Sequence, residues 1–264
     1  MWIKVDNVRV FAQTGGQQFN VAQPSVVLIH GAGMDHTVWQ QQSRYLAHHG
    51  WNVFAVDLPG HGVSMGYPSE SVGSAADWLI ALLDAIGLKR TILVGHSLGA
   101  LISLDAAGRY GHRVEKLALL GVTPKMPVHQ ELLDAAKANE PVAHELIVEW
   151  GFGKQAHRGG NIAPGLWMMG GGRRLLERAR PGVLGADLAA ANAYEEGAAA
   201  GESVRCPTLL VLGAEDRMTP VKGAAALQQS IANCHTVVLP DVGHMMMIEA
   251  PRATVQALAA FLDN

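Results

Sequence analysis

The chain has 264 residues, 49% of them hydrophobic and 16% charged, and Lys+Arg 20 against Asp+Glu 23 leaves a net charge of -3. That length and apolar content give one large α/β domain, or one domain with an insertion, and exclude a disordered chain. With no basic stripe or long charge run, neither nucleic acid nor a membrane surface is expected as a partner.

Short apolar runs of strand type recur along the chain: "VRVFAQT" (8–14), "SVVLIHG" (25–31), "NVFAVDL" (52–58), "TILVGHS" (91–97), "KLALLGV" (116–122), "TLLVLGA" (208–214) and "HTVVLPD" (235–241). Between them lie segments of helical period. Over 74–88, Trp78, Leu79, Leu82, Leu83 and Ile86 recur at three- and four-residue steps, with Ser74 placed to cap the start and Gly87 the end. Further helices are expected from about Leu98 to Tyr110 and from about Arg252 to Leu262. Near-continuous apolar strands alternating with amphipathic helices predict a mostly parallel, doubly wound sheet covered on both faces.

The alternation breaks once. Residues 123–203 hold no strand pattern, while "HQELLDAAKANEPVAHELIVEW" (129–150) and "GGGRRLLERARPG" (170–182) read as helices. A helical cap, or lid, is therefore expected over 123–203, inserted into a core formed by 1–122 and 204–264. Ligands bind outside the carboxyl ends of parallel strands, so the cap is expected to cover that edge.

Candidate chemistry gathers at the same edge. In "VGHSLGA" (94–100), Ser97 sits in a G-x-S-x-G frame between a strand and a helix, the context of a nucleophile elbow. A serine hydroxyl needs a neighbouring base that is itself oriented by an acid. His244, just past the strand "TVVLP", opens on the serine's edge, whereas His235 begins that strand and faces the other edge. His96 is expected to pack beside the serine, and His48 and His49 to end an exposed helix. For the acid, "LLVLGAEDRMTP" offers Glu215 and Asp216, with Asp241 a third option.

"HGAG" (30–33), "DLPGHG" (57–62), "GHSLG" (95–99), "GAEDRMTP" (213–220) and "GHMMMIEAP" (243–251) stand in the order and spacing of the α/β-hydrolase-fold serine hydrolases, which this chain resembles over its sheet domain. The resemblance implies Asp216, in the G-x-x-D loop, as the acid of a Ser97, Asp216, His244 triad. It also implies an oxyanion hole formed by the backbone N–H groups of Ala32 and Leu98. His30, Asp57 and His61 then read as loop structure. Aspartate nucleophiles of the dehalogenase and epoxide hydrolase kind are excluded by Ser97, and "LIHGAGMDH" (28–36) lacks the third glycine of a dinucleotide site.

Among serine chemistries, carboxylic-ester hydrolysis is the expected activity, acting on a small-molecule ester. Lactones, thioesters, carbon–carbon bonds beside a ketone and perhydrolysis are the alternatives, and a non-catalytic small-ligand receptor is a more distant one. Gly33, Met34, Trp150, Trp167, Met168 and Met245 are the expected pocket residues, with Phe152 and Met169 as further candidates. Cys206 and Cys234 read as reduced thiols. No metal or organic cofactor is implied. No signal-peptide pattern precedes the first strand, so a cytoplasmic protein is expected.

Overall fold

The computed structural model describes residues 1–160 and 166–263. Eight strands form one sheet: β1 (Trp2–Val5), β2 (Val8–Gln13), β3 (Ser25–Ile29), β4 (Asn52–Val56), β5 (Thr91–His96), β6 (Val114–Leu120), β7 (Thr208–Gly213) and β8 (Cys234–Leu239). Their spatial order is β1-β2-β4-β3-β5-β6-β7-β8. The first two strands are antiparallel to each other, β2 is antiparallel to β4, and every later pairing is parallel. This is the expected doubly wound architecture.

The strand read from neither period nor composition is β1. It pairs with β2 through a two-residue turn in which Asp6 (φ 45°) and Asn7 (φ 66°) both take the left-handed conformation. That is the geometry a tight hairpin requires and one that Asp and Asn tolerate. Only Ile3 and Val5 of β1 are buried, so the edge strand is half solvated and carries a weak signal.

Helices α1 (Gln40–His48), α2 (Val72–Ala85) and α3 (Leu98–Arg109) cover the first half of the sheet. In α2 the cap is Ser71 rather than Ser74: the Ser71 hydroxyl accepts the Ser74 N–H, and the Ser74 hydroxyl accepts the Ser71 N–H. Ser74 therefore occupies the third helical position of a capping box, which extends the helix one turn further back than the apolar period indicates. Gly87 (φ 76°) follows the helix end in the left-handed conformation expected of it.

Between β6 and β7, the described residues hold only helices: α4 (Gln130–Lys137), α5 (Val142–Gly151), α6 (Lys154–His157), α7 (Met168–Glu177), α8 (Val183–Asn192) and α9 (Gly197–Ser203). The buried side chains of these helices, among them Leu132, Val148, Leu176 and Leu188, join the same apolar cluster as the sheet. Residues 161–165 of the expected cap lie outside the described residues. The second half of the sheet carries α10 (Val221–Ser230), α11 (Met246–Glu249) and α12 (Pro251–Leu262). Among the described residues no helix is long and apolar enough to cross a membrane.

The crossing of β5 into α3 is closely packed, backbone against backbone. A Cβ on Gly99 would lie 2.4 Å from the Ile29 carbonyl oxygen of β3, and one on Gly95 would lie 2.1 Å from the Gly99 carbonyl oxygen. Both contacts are with backbone, which cannot swing aside. Gly99→Ala is therefore expected to destabilise the fold by about 3 kcal/mol, lowering the urea midpoint at an unchanged slope. Gly111→Ala, where nothing lies within 4 Å, is the matched control and should leave the midpoint in place.

Candidate active site

At the carboxyl end of β5 the chain turns through Ser97, with φ 53° and ψ -119°. A non-glycine residue in this region stores about 1–3 kcal/mol of backbone strain. The elbow is held from both sides. The Ser97 N–H donates to the Leu120 carbonyl of β6 at 2.9 Å, and its own carbonyl accepts the Ala100 and Leu101 N–H groups that begin α3. The side chain is thereby presented above the sheet rather than within a strand.

On the next loops across, His244 and Asp216 meet. The His244 Nδ1–H donates to Asp216 Oδ2 at 2.8 Å, and both side chains are buried. Asp216 is itself fully engaged. Its Oδ1 accepts the Met218 and Thr219 N–H groups, each at 2.8 Å, and its Oδ2 accepts the Thr219 hydroxyl at 2.6 Å. Burial alone would favour the neutral acid, but His244 and the Thr219 donors outweigh it and hold the Asp216 carboxyl at about 2. An ionised carboxylate at Nδ1 fixes the tautomer, leaving Nε2 as the basic nitrogen.

That Nε2 is buried and makes no hydrogen bond among the described residues. Ser97 Oγ does not donate to it in this structure; such contacts tighten when a substrate arrives. The two loops are tied instead through His96, whose Nε2–H donates to the His244 carbonyl at 2.9 Å with the rings 4.8 Å apart. Burial drives the His96 imidazole down to about 3, with the neighbouring His244 adding to the effect. It stays neutral and serves as packing, as the sequence predicts.

Of the other acids considered, Glu215 turns away and accepts the Lys154 N–H at 2.6 Å, while Asp241 (φ 57°) is an exposed turn residue. His30 is buried between fixed partners: it donates through Nδ1 to the Gly31 carbonyl and accepts the Leu58 N–H at Nε2. Asp57 binds the His36 and Val63 N–H groups and the His36 ring. Asp35, His36 and Asp57 lie close enough to suggest a metal site. However, Asp57 uses both carboxylate oxygens on protein donors and Asp35 Oδ1 takes the Thr37 N–H, so these groups are engaged in loop structure.

In the "HGAG" turn, the Gly33 N–H donates to Asp187 Oδ2 at 2.8 Å and the Met34 N–H to the Gly31 carbonyl at 3.2 Å. Among the described residues the Ala32 and Leu98 N–H groups donate to no protein acceptor. Ala32, Ser97 and Leu98 form one wall of a cavity of about 140 Å³. Its remaining walls come largely from the inserted helices and their leading loop, including Met126, Leu132, Trp150 and Leu188, with Arg217 and Met218 from the loop that bears Asp216.

Of the six expected pocket residues, Trp150 lines this cavity and the other five do not. Gly33 faces Leu184 and Leu176. Met34 and Met245 are buried in the apolar core cluster rather than open to the cavity. Trp167 is 66% exposed, lies against Gly170 at the start of α7 and leaves Met168 only partly buried. Phe152 is buried under Gly172 rather than open to the cavity. Aromatic or methionine identity alone could not separate these environments.

Two acids at the site went unread, the half-buried Glu249 and the buried Asp187. Glu249 accepts the Gly243 and Met245 N–H groups on either side of His244, and the Gly153 N–H at 2.7 Å. Burial pushes its carboxyl up, and these three N–H donors oppose that. Asp187 is the sole acid in the apolar run "VLGADLAAAN" (183–192), a pattern that marks a helix position needing a buried partner.

A model of the alpha/beta hydrolase family matches residues 26–257. The pimeloyl-[acyl-carrier protein] methyl ester esterase of Aromatoleum aromaticum is 31% identical over 245 residues, covering 87% of this chain and 94% of that protein. The (E)-2-((N-methylformamido)methylene)succinate hydrolase of Acinetobacter baylyi is 24% identical over 245 residues, 90% of each chain. Among solved structures, the enol-lactonase from Burkholderia xenovorans LB400 superposes with a TM-score of 0.88 at 20% identity over the whole of both chains. The chain belongs to the alpha/beta hydrolase family and is a hydrolase.

Proposed function

We propose that this hydrolase cleaves a carboxylic ester of a small molecule through Ser97, His244 and Asp216. The observation that supports it most is the Asp216–His244 bond, which leaves a buried Nε2 unpartnered among the described residues, with the His244 ring 4.8 Å from that of His96, the neighbour of the strained Ser97. In the forward step Ser97 Oγ attacks the ester carbonyl while His244 Nε2 takes the hydroxyl proton. The carbonyl oxygen becomes an oxyanion and is met by the free N–H groups of Ala32 and Leu98. The carbon–oxygen bond to the alcohol then breaks, and the alcohol leaves with the proton from His244. Water repeats the sequence on the acyl-serine, releasing the acid and restoring the hydroxyl. Among the relatives, several are named as methyl ester esterases, which favours esters over the other serine chemistries.

The inserted helices then serve as the cap that sets substrate size, because they supply most of the cavity's apolar wall. Apolar walls act by removing substrate surface from water, at ~25 cal/mol per Å².

Two measurements test this reading. A fluorophosphonate probe is expected to add to Ser97 in the wild-type protein and not in Ser97→Ala, by intact mass and peptide mapping. Asp216→Asn should lower kcat by about 10⁴-fold, whereas Glu215→Gln should leave it nearly unchanged, since only Asp216 touches His244. An unlabelled but active wild type, or the reverse ranking of the two carboxylate variants, would overturn the assignment.

The cap reading is tested with p-nitrophenyl esters of increasing chain length. Trp150→Ala is expected to shift the preferred chain, changing kcat/KM by ~10–200-fold per methylene of mismatch, without abolishing acetate hydrolysis. Trp167→Ala, which lies off the cavity, should keep the parent profile.

A further inference from the structure

Asp187 stands on α8 of the inserted helices yet reaches across to the core at two points. Its Oδ2 accepts the Gly33 N–H at 2.8 Å and meets His61 Nε2 at 2.7 Å. His61, in "DLPGHG", is 2% exposed and Asp187 is 3% exposed. The other ring nitrogen, Nδ1, faces the Pro59 carbonyl at 3.0 Å. Both nitrogens thus point at acceptors, an arrangement only the imidazolium fully satisfies.

We propose that His61 and Asp187 are a positioning pair for the oxyanion loop, so that docking of the inserted helices and alignment of the Ala32 N–H are one event. The inference rests on the ester-hydrolase reading for its catalytic consequence, though not for its structural one. Gly33 (φ 66°) follows Ala32 directly. Drawing the Gly33 N–H to a carboxylate fixes the rotation of the turn and leaves the preceding N–H free at the cavity wall beside Ser97. A misplacement of about 1 Å in such a donor costs about 10²-fold in rate. The carboxylate could not hold the loop alone, because a buried unpaired anion is costly and needs the imidazolium beside it.

The groups facing His61 set the direction of its titration. Burial and the His30 ring, centred 4.8 Å away, oppose the charged form, while Asp187 and then Asp57 favour it; on balance His61 is raised above its ordinary value. A raised histidine is charged below its unfolded value of about 6.5. The pair is therefore intact at lower pH and loosens as pH rises through the folded value. That places a limb on the alkaline side of the kcat profile.

The test combines kinetics with amide exchange. Asp187→Ala is expected to lower kcat on p-nitrophenyl acetate by about 10–10²-fold with KM nearly unchanged. It should slow fluorophosphonate labelling in parallel and speed hydrogen exchange in the peptide containing Gly33. If that variant does not fold, Asp187→Asn is read by the same criteria with smaller effects. His61→Gln, whose amide donates to Asp187 at every pH, should remove the alkaline limb. An unchanged kcat, an effect on KM alone, unaltered exchange at Gly33 or an alkaline limb that persists in His61→Gln would each overturn the proposal. Exchange at Gly33 needs no substrate, so the pair can be judged even if Ser97 proves not to be labelled.

Discussion

The backbone contact between the first turn of α3 and the end of β3 governs this molecule. With Gly99 pressed against the Ile29 and His30 carbonyls, α3 can begin only where the chain has turned sharply out of β5. Ser97 is the residue at that turn and is forced to positive φ. The strain is tolerable because the neighbours over-determine it: the Ser97 amide is bonded to β6 and its carbonyl caps α3. The adjoining "HGAG" turn leaves β3 at the same contact, which is why its Ala32 amide and the Leu98 amide both open on one cavity.

Parallel strands bring the remaining chemistry to this edge. Asp216 follows β7 and His244 lies beyond β8, and the register of those two neighbours lets the loops meet in a buried hydrogen bond. The geometry is reinforced from outside the sheet. The Gly151 carbonyl at the end of α5 accepts the His244 N–H at 2.7 Å, and Glu249 collects amides from both sides of His244. On the opposite flank Asp187 grips the "HGAG" turn through the Gly33 N–H. The inserted helices are thus bonded to the loops on both sides of the serine, and they do more than roof the cavity.

The charge on the inserted helices behaves differently from the buried pairs. Arg173 and Arg174 pair with Glu177, and Arg173 also reaches Glu145; the arginines and Glu145 are exposed and Glu177 is half-buried. Exposed pairs of this kind contribute about 0–1 kcal/mol each, so Arg173 and Arg174 form a solvated face, whereas Arg178 reaches the buried Asp35 and Arg180 donates to the Ser64 carbonyl. Buried pairs such as His61–Asp187 add little net stability but are costly to break singly, which suits them to fixing a geometry.

Seven of the strands, the long insertion and His244 were legible in local pattern, whereas Asp216 was singled out from Glu215 and Asp241 only by the resemblance to the α/β-hydrolase-fold enzymes. Period-two and unbroken apolar runs mark strands, glycine spacing marks the elbow, and chain order places three loops at one edge. The short edge strand β1 escaped because half of it faces water and its turn depends on two left-handed residues. Pocket membership was not legible either. Whether Trp150 or Trp167 faces the cavity depends on how α5 and α7 rotate against the sheet, and no side chain carries that angle in its identity. The partners of Glu249 and Asp187 lie up to 154 residues away in sequence, so chain order cannot name them. Local propensity and periodicity were enough to specify the scaffold and the strand-end loops at one edge of it. The cavity wall and the bonds that hold those loops arise only when distant segments pack together.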